Sequence, residues 1–395
     1  MSPLSMEYPC HRVHMTDTML PTFLCIATGQ NLANLIPALQ IKPAEVWLLA
    51  TPAMRTQAQI LKKLLDRHQI PVRIEPFADD NIAILEAESW RIAELLADQN
   101  VIFNATGGTK QMALVLTDTL EALATEAGGV LYADTVHQRI DWLRPKGRGS
   151  EAMLDVLSLE DVLGTQGFRL GAVNSRNDDW VKTTEERGLL TKELGDKAEK
   201  LGGFFGALNG LAQRATRGET FAPQQELDYE PGRQYVEPLK KASTYGLLEW
   251  DGRTGITFAS EAAARYFGGG WLEEYVFFKL RGCHAKGFAI NVTLIAPDGK
   301  TTNEIDALAV HRNRLLAIEC KTLRFGRDRN KDADIMYKLD SLSQRAGGLM
   351  HDRMILAARP LDDASAARAR ELDIDVIAGK DIRNLTERVR EWMNR

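Results

Sequence analysis

Residues 22–142 alternate two hydrophobic periods, and this alternation restricts the fold more than any other feature of the 395-residue chain. Short apolar runs at Phe23–Ala27, Val46–Ala50, Val72–Glu75 and Val101–Phe103 are each followed by a helical segment. Those segments are Leu32–Leu39, Pro52–Arg67, Ile82–Ala97 and Lys110–Ala124. The second carries Ile60, Leu61, Leu64 and Leu65 on one stripe, and the third carries Ile84, Leu85, Ile92, Leu95 and Leu96. Strands that alternate with helices of this length form right-handed βαβ units and a parallel sheet. Val130–Ala133 and Arg139–Leu143 read as a hairpin that closes the sheet.

The pattern changes twice further on. Residues 166–268 are less regular and read as a connector: helices over Leu189–Leu201 and Phe204–Thr216, a Pro-punctuated loop over 218–238, then helix, strand, turn and strand over 239–258. That last order is winged-helix-like. Residues 269–395 read as an α/β unit with an antiparallel hairpin at its centre. Its strands are Phe288–Ile295, Glu304–Val310, Leu315–Lys321, Met354–Ala357 and Asp375–Ala378, with helices at Trp271–Arg281, Ala364–Glu371 and Asp381–Met393. The expected domains are therefore 1–165, with a loose tail over 1–20, then 166–268 and 269–395.

Charge adds a second division. The whole chain carries 49 Lys/Arg and 54 Asp/Glu, but residues 271–395 carry 22 and 19, so a slightly basic third sits on an acidic body. Global charge does not advertise nucleic-acid binding, whereas this asymmetry suggests two separate jobs. The four cysteines, Cys10, Cys25, Cys283 and Cys320, include no C-x-x-C pair, which argues against a disulfide framework or a Cys-rich zinc site. No run of 18 apolar residues and no apolar h-region are present, so a cytoplasmic protein without a membrane span is expected.

The first candidate site is the loop after the fourth strand: Asn104-Ala105-Thr106-Gly107-Gly108-Thr109-Lys110. In open parallel sheets, ligands bind beyond the carboxyl ends of the strands. Glycines allow close backbone approach, and a helix N-terminus offers free N–H groups to an anion. Thr28-Gly29-Gln30-Asn31 and Thr51 end the first two strands and should share that edge. No G-x-G-x-x-G and no Walker A motif are present; Gly299-Lys300-Thr301 has Leu294 where the required glycine would stand.

The second is a hairpin. A turn at His311–Arg314 sets Asp306 opposite Glu319 and Glu304 opposite Lys321, while Ile305, Ala307, Ala309, Leu316, Ile318 and Cys320 take the other face. Opposed carboxylates on a sheet are destabilising unless something offsets them, and a divalent cation with oxygen ligands would do so. Lys321 is then placed to orient a water or to oppose charge on a phosphate. Beyond it, Arg324, Arg327, Arg329 and Lys331 could hold a nucleic-acid backbone.

Both motifs resemble known families. Asn104-x-Thr106-Gly107-Gly108-Thr109-Lys110 is similar to the ligand loop of CARF domains, the sensors of cyclic oligoadenylate in type III CRISPR defence. The resemblance covers about residues 20–165 and implies a Rossmann-like fold. It also implies a homodimer around a two-fold axis, to which a cyclic tetra-adenylate is suited. Asp306, Glu319 and Lys321 resemble the PD-(D/E)xK nuclease core, whereas the literal Pro297-Asp298 is a turn. Such cores often draw a further carboxylate from the preceding helix. Glu273 shares a face with Val276, Phe277 and Leu280 and is expected to point inward, with Glu274 solvated. Tyr337-Lys338-Leu339 also resembles the family's nuclease domain, and Lys338 could touch phosphate.

Sensor followed by nuclease resembles the single-CARF ancillary nucleases. The resemblance implies a nuclease activated by cyclic oligoadenylate, dependent on Mn²⁺ or Mg²⁺, acting on RNA and/or DNA. The alternative is a nucleotide-sensing transcriptional regulator that uses residues 239–258.

Overall fold

The computed structural model describes residues 20–123, 128–323, 325–326, 329–348 and 350–395. Cys10, the tail before Leu20, and Arg324 and Arg327 of the basic loop lie outside the described residues. The chain divides into two compact units, with the main break between Ala152 and Met153.

The first unit alternates β1 (Thr22–Ile26), α1 (Leu32–Ile41), β2 (Glu45–Ala50), α2 (Arg55–Arg67), β3 (Val72–Pro76), α3 (Ile82–Leu95), β4 (Val101–Asn104) and α4 (Lys110–Leu123). It ends in the antiparallel strands β5 (Gly129–Asp134), β6 (Arg139–Arg144) and β7 (Gly149–Ala152). The sheet order is β3-β2-β1-β4-β5-β6-β7, and β3 through β5 run parallel. The chain builds outward from β1 to β3 and then returns to place β4 on the other side of β1. That reversal is a topological switch point, the place at which open α/β sheets characteristically bind ligands. Helix α3 begins where the Asn81 side chain accepts from Ile84 N at 3.0 Å. Its apolar stripe is narrower than the sequence suggested: Leu85, Ile92 and Leu96 are buried, whereas Ile84 and Leu95 face solvent.

The second unit holds α5 (Leu159–Thr165), β8 (Arg169–Val173), α6 (Asp178–Glu186), α7 (Gly188–Asp196), α8 (Ala198–Thr216), β9 (Gln224–Glu226), α9 (Arg233–Thr244), β10 (Leu248–Trp250), β11 (Gly255–Phe258) and α10 (Glu261–Arg265). It continues with α11 (Trp271–Cys283), β12 (Gly287–Ile295), β13 (Thr302–His311), β14 (Arg314–Lys321), α12 (Arg329–Gly347), β15 (His351–Ala357), α13 (Asp363–Glu371), β16 (Asp375–Ala378) and α14 (Leu385–Met393). One sheet has the order β16-β15-β14-β13-β12-β8, and β9, β10 and β11 form a separate three-stranded sheet.

The segment read as a connector is built into this unit. Strand β8 is the edge of the six-stranded sheet, and Leu201, Phe205 and Leu208 of α8 share one core with Trp271, Tyr275 and Ile318. Phe205 stacks on Trp271 with ring centroids 4.3 Å apart, which fixes the start of α11. The expected helix, strand, turn and strand are present as α9, β10 and β11, although the helix starts at Arg233, inside the stretch read as a loop. Arg312 and Asn313, with φ 49° and 61°, form the two-residue turn between β13 and β14, as hairpin twist requires.

Candidate active site

The hairpin register is the one the sequence dictates. Ala307 pairs with Ile318, Ala309 with Leu316 and His311 with Arg314. The ladder stops at Ala307, because the next pair does not zip. Instead Asp306 Oδ2 accepts the Cys320 main-chain N–H at 2.6 Å. Lys321 Nζ lies 2.8 Å from Glu319 Oε1, not on Glu304, which is exposed at the rim of the groove. Lys338 Nζ likewise lies at the Glu304 carbonyl, at 3.4 Å.

The third carboxylate comes from α11. Glu273 Oε2 accepts from Asn291 Nδ2 at 2.7 Å. Glu274, expected in solvent, is 2 % exposed and forms a buried ion pair with Arg187. Arg187 Nε donates to Glu274 Oε2 at 3.1 Å, Thr191 Oγ1 donates to the same oxygen at 3.3 Å, and the guanidinium lies 4.3 Å from the Tyr266 ring centre. The helical stripe alone could not reveal this, because the partner sits 87 residues away, at the junction of α6 and α7.

Burial and like charge dominate the electrostatics. Burial, then Glu319 and Glu273, push the Asp306 carboxyl up to about 7. Burial also raises Glu273, against the opposing effect of its Asn291 hydrogen bond. Burial alone would lower Lys321, but the charge and hydrogen bond of Glu319, with Asp306 behind them, outweigh it and the ammonium is held upward. Lys321 is therefore a fixed cation. Glu273 and Asp306 line one groove of about 670 Å³ with Trp180, Asn291 and Glu304.

Asn291 was missed by sequence reasoning. It stands between the ladder pairs Ile290–Ala307 and Val292–Ile305, with φ 50°, so it lies opposite Asp306 in a left-handed backbone conformation. Asn tolerates that conformation better than other residues with a Cβ, and such positions concentrate at functional sites. The sequence signal was slight: a lone amide in the otherwise apolar and hydroxylated strand Gly287–Ile295.

The donor set suits a hard divalent cation, since it offers only carboxylate oxygens and carries more negative charge than Lys321 neutralises. Among the described residues no three such side chains converge into a closed ligand group. Asp306 is turned onto the Cys320 N–H and Glu319 onto Lys321, so both would have to share those partners with a cation.

The loop after β4 differs from expectation. Asn104 is fully buried: Nδ2 donates to Ala33 O and Asn34 Oδ1, both at 2.9 Å, while Oδ1 accepts from Thr106 N at 3.2 Å. Thr106 Oγ1 donates to Asn104 Oδ1 and accepts from Ala133 N at 2.7 Å. Thr109 Oγ1 accepts from Met112 N at 3.2 Å, near the start of α4. A Cβ on Gly107 would stand 2.4 Å from the Ile26 carbonyl oxygen, and Gly108 has φ 78°. The glycines thus admit the end of β1. Thr51 and Asn31 are buried as well, and Asn31 Nδ2 donates to Thr165 O at 3.4 Å. Gly29, Gly108, Thr109 and Lys110 are exposed, while Thr28 and Gln30 are half-buried. Because β1 and β4 are neighbours, Thr28 and Gly29 lie beside residues 105–110 at the switch point.

Family models match both units, a CARF domain followed by an endonuclease domain. The chain belongs to the CARF-domain nucleases, since residues 23–162 match the family model of the Card1 CARF domain and residues 260–395 that of the Card1-like endonuclease domain. Among solved structures, protein VC1899 from Vibrio cholerae is similar with a TM-score of 0.82 and 22% identity over 95% of this chain and 98% of that one. Can2 from Sulfobacillus thermosulfidooxidans, solved with cyclic tetra-adenylate, has a TM-score of 0.77 and 24% identity over 95% of this chain and 98% of that one. A type III CRISPR defence DNA nuclease activated by cyclic oligoadenylate has a TM-score of 0.51 and 16% identity, over 95% of this chain and 49% of that one. At these identities the likeness is one of fold. No curated protein matches the sequence.

Proposed function

We propose that the chain is a divalent-metal-dependent endonuclease, switched on by a cyclic oligoadenylate, that cleaves RNA and/or DNA in type III CRISPR antiviral defence in the cytoplasm. The observation that carries this reading is the set of carboxylates Glu273, Asp306 and Glu319 gathered around Lys321 in a chain whose other unit is a CARF domain. Asp306, Glu319 and Glu273 would hold Mn²⁺ or Mg²⁺. When bound, the cation supplies a water of lowered pKa and polarises the phosphoryl oxygens. Asn291 keeps Glu273 turned toward the site, and the charged Lys321 opposes negative charge that builds on the phosphate.

The activator is a cyclic tetra-adenylate, the ligand of Can2, a protein of the same fold. Its phosphates would lie against the exposed Lys110, Thr109 and Gly108, beside Thr28 and Gly29, at the switch point. A ring of four offers two equivalent halves, so a homodimer through the first unit supplies two matching patches. Ile82, Trp90 and Leu95 on α3 and Leu114 on α4 are exposed apolar side chains able to form such a contact. Activation requires that the ring bind the cleaving arrangement more tightly than the resting one.

Labelled RNA and DNA, incubated with Mn²⁺ or Mg²⁺ and a panel of cyclic oligoadenylates, test the reading. Cleavage that needs both the metal and a ring is expected. Metal-independent cleavage, or no cleavage with any ring, contradicts it.

A further inference from the structure

A cation stands beyond the carboxyl ends of β14 and β15 that the carboxylate site does not use. Ala357 of β15 is the register partner of Lys321, and Ala358 N donates to Lys321 O at 2.7 Å. Arg359 follows that pair by two residues, just beyond the end of β15. Helix α8 supports both positions. Asn209 Nδ2 donates to Thr322 Oγ1 at 3.3 Å. Earlier on the same helix the Arg359 side chain runs along Gly202 and Gly206, where Cβ atoms would meet its Nε at 3.3 Å and its Nη1 at 3.9 Å.

Arg359 is half-buried, and among the described residues no carboxylate pairs with it. It lines a groove of about 710 Å³ with Gly203, Gly206, Tyr229, Leu323 and Asp362. Asp362 caps α13, accepting from Ser365 N at 2.7 Å. Tyr229 is 64% exposed and Leu323 42%, so the groove shows an aromatic ring and an apolar side chain to whatever enters it. A guanidinium fork suits a phosphate, and an exposed ring suits the face of any base. The volume falls within the range of small-ligand clefts, about 300–1,000 Å³.

We propose that this groove is a nucleotide subsite of the nuclease, in which Arg359 holds a backbone phosphate other than the scissile one and Tyr229 stacks on the adjoining base. The proposal rests on the nuclease reading above. Its test is steady-state cleavage of a labelled strand by the activated full-length protein at several salt concentrations. Arg359→Gln raises KM about 10-fold, leaves kcat within about two-fold, and lowers the slope of log(1/KM) against log[salt] by about one. Arg359→Lys restores the slope but only part of the affinity, because the fork is lost. Tyr229→Ala raises KM about 5- to 100-fold without changing the slope. Gly206→Leu guards against misfolding: its Cβ has room, the helix forms at least as well, and the longer side chain fills the groove. It is expected to keep the melting temperature and raise KM. Unchanged KM and salt slope in Arg359→Gln, beside a cleaving wild type, overturn the subsite and leave the nuclease reading intact. A wild type that cleaves nothing overturns both.

Discussion

The loop after β4 and the hairpin of β13 and β14 carry the two most distinctive motifs in the sequence, yet they use their polar residues in opposite ways. In the loop, Asn104, Thr106 and Thr109 find partners within the first unit, and Gly107 lets the loop close on Ile26. Around the hairpin, the half-buried Glu273 and Asp306 lie beside Glu319, with the cation Lys321 against them. One motif satisfies most of its own polar groups and leaves Gly108, Thr109 and Lys110 exposed. The other stays electrostatically incomplete. A polar motif points to chemistry when the chain does not satisfy it.

Substitutions should separate the two behaviours. The largest effect is expected at the hairpin: Asp306→Asn or Glu319→Gln lowers kcat by about 10³-fold or more, measured as initial cleavage rates, on the scale of losing a group that stabilises the transition state. Asp306→Asn should nonetheless stabilise the metal-free fold. The folded carboxyl, near 7, is raised above its unfolded value of 3.8. Its ionisation therefore costs nothing below about pH 4, costs progressively more as the pH rises to 7, and costs most above 7. In EDTA the wild type should lose stability over that window. At about 1.4 kcal/mol per unit, the loss is at most a few kcal/mol. Urea unfolding at pH 5 and pH 8 should show that slope in the wild type and a flatter one in Asp306→Asn.

Arg187→Ala gives the contrast inside the same unit. Its carboxylate partner, Glu274, is compensated, so removing the guanidinium leaves a buried charge unpaired and costs about 3–5 kcal/mol in urea unfolding. Asn104→Ala is the equivalent in the loop. It strands the Asn34 and Ala33 acceptors and both Thr106 donors, at a cost of about 2–3 kcal/mol in the melting of the first unit. Lys110→Glu should be the mildest for the fold, within about 0.5 kcal/mol. It should still weaken calorimetric binding of cyclic tetra-adenylate many-fold, since it replaces a charge-assisted hydrogen bond with repulsion. If Lys110→Glu unfolded the protein and Asn104→Ala only weakened ring binding, the two roles would have to be exchanged.

Local period made most of this legible. β1 to β4 and the hairpin register follow from runs and alternations within a few residues, and Asp306, Glu319 and Lys321 came with them. What stayed hidden depends on distant partners. Strand β8, Arg169–Val173, is a strand only because β12 pairs with it across more than a hundred residues. Glu273 and Glu274 are adjacent and equally acidic, and only the distant Asn291 and Arg187 decide which is left without a cationic partner and which is neutralised. Asn104 and Thr106 were read as ligand-facing because sequence shows a hydrogen-bonding group but not whether the fold has already used it.

The central claim is that the hairpin carboxylates are incomplete without a cation. Titration calorimetry of the full-length protein with Mn²⁺ at pH 8 tests it without any need to know the substrate. The account predicts saturable binding that also raises the melting temperature, with both effects lost in Asp306→Asn and retained in Lys110→Glu. Equal Mn²⁺ binding and equal thermal shifts in the wild type and Asp306→Asn would contradict it.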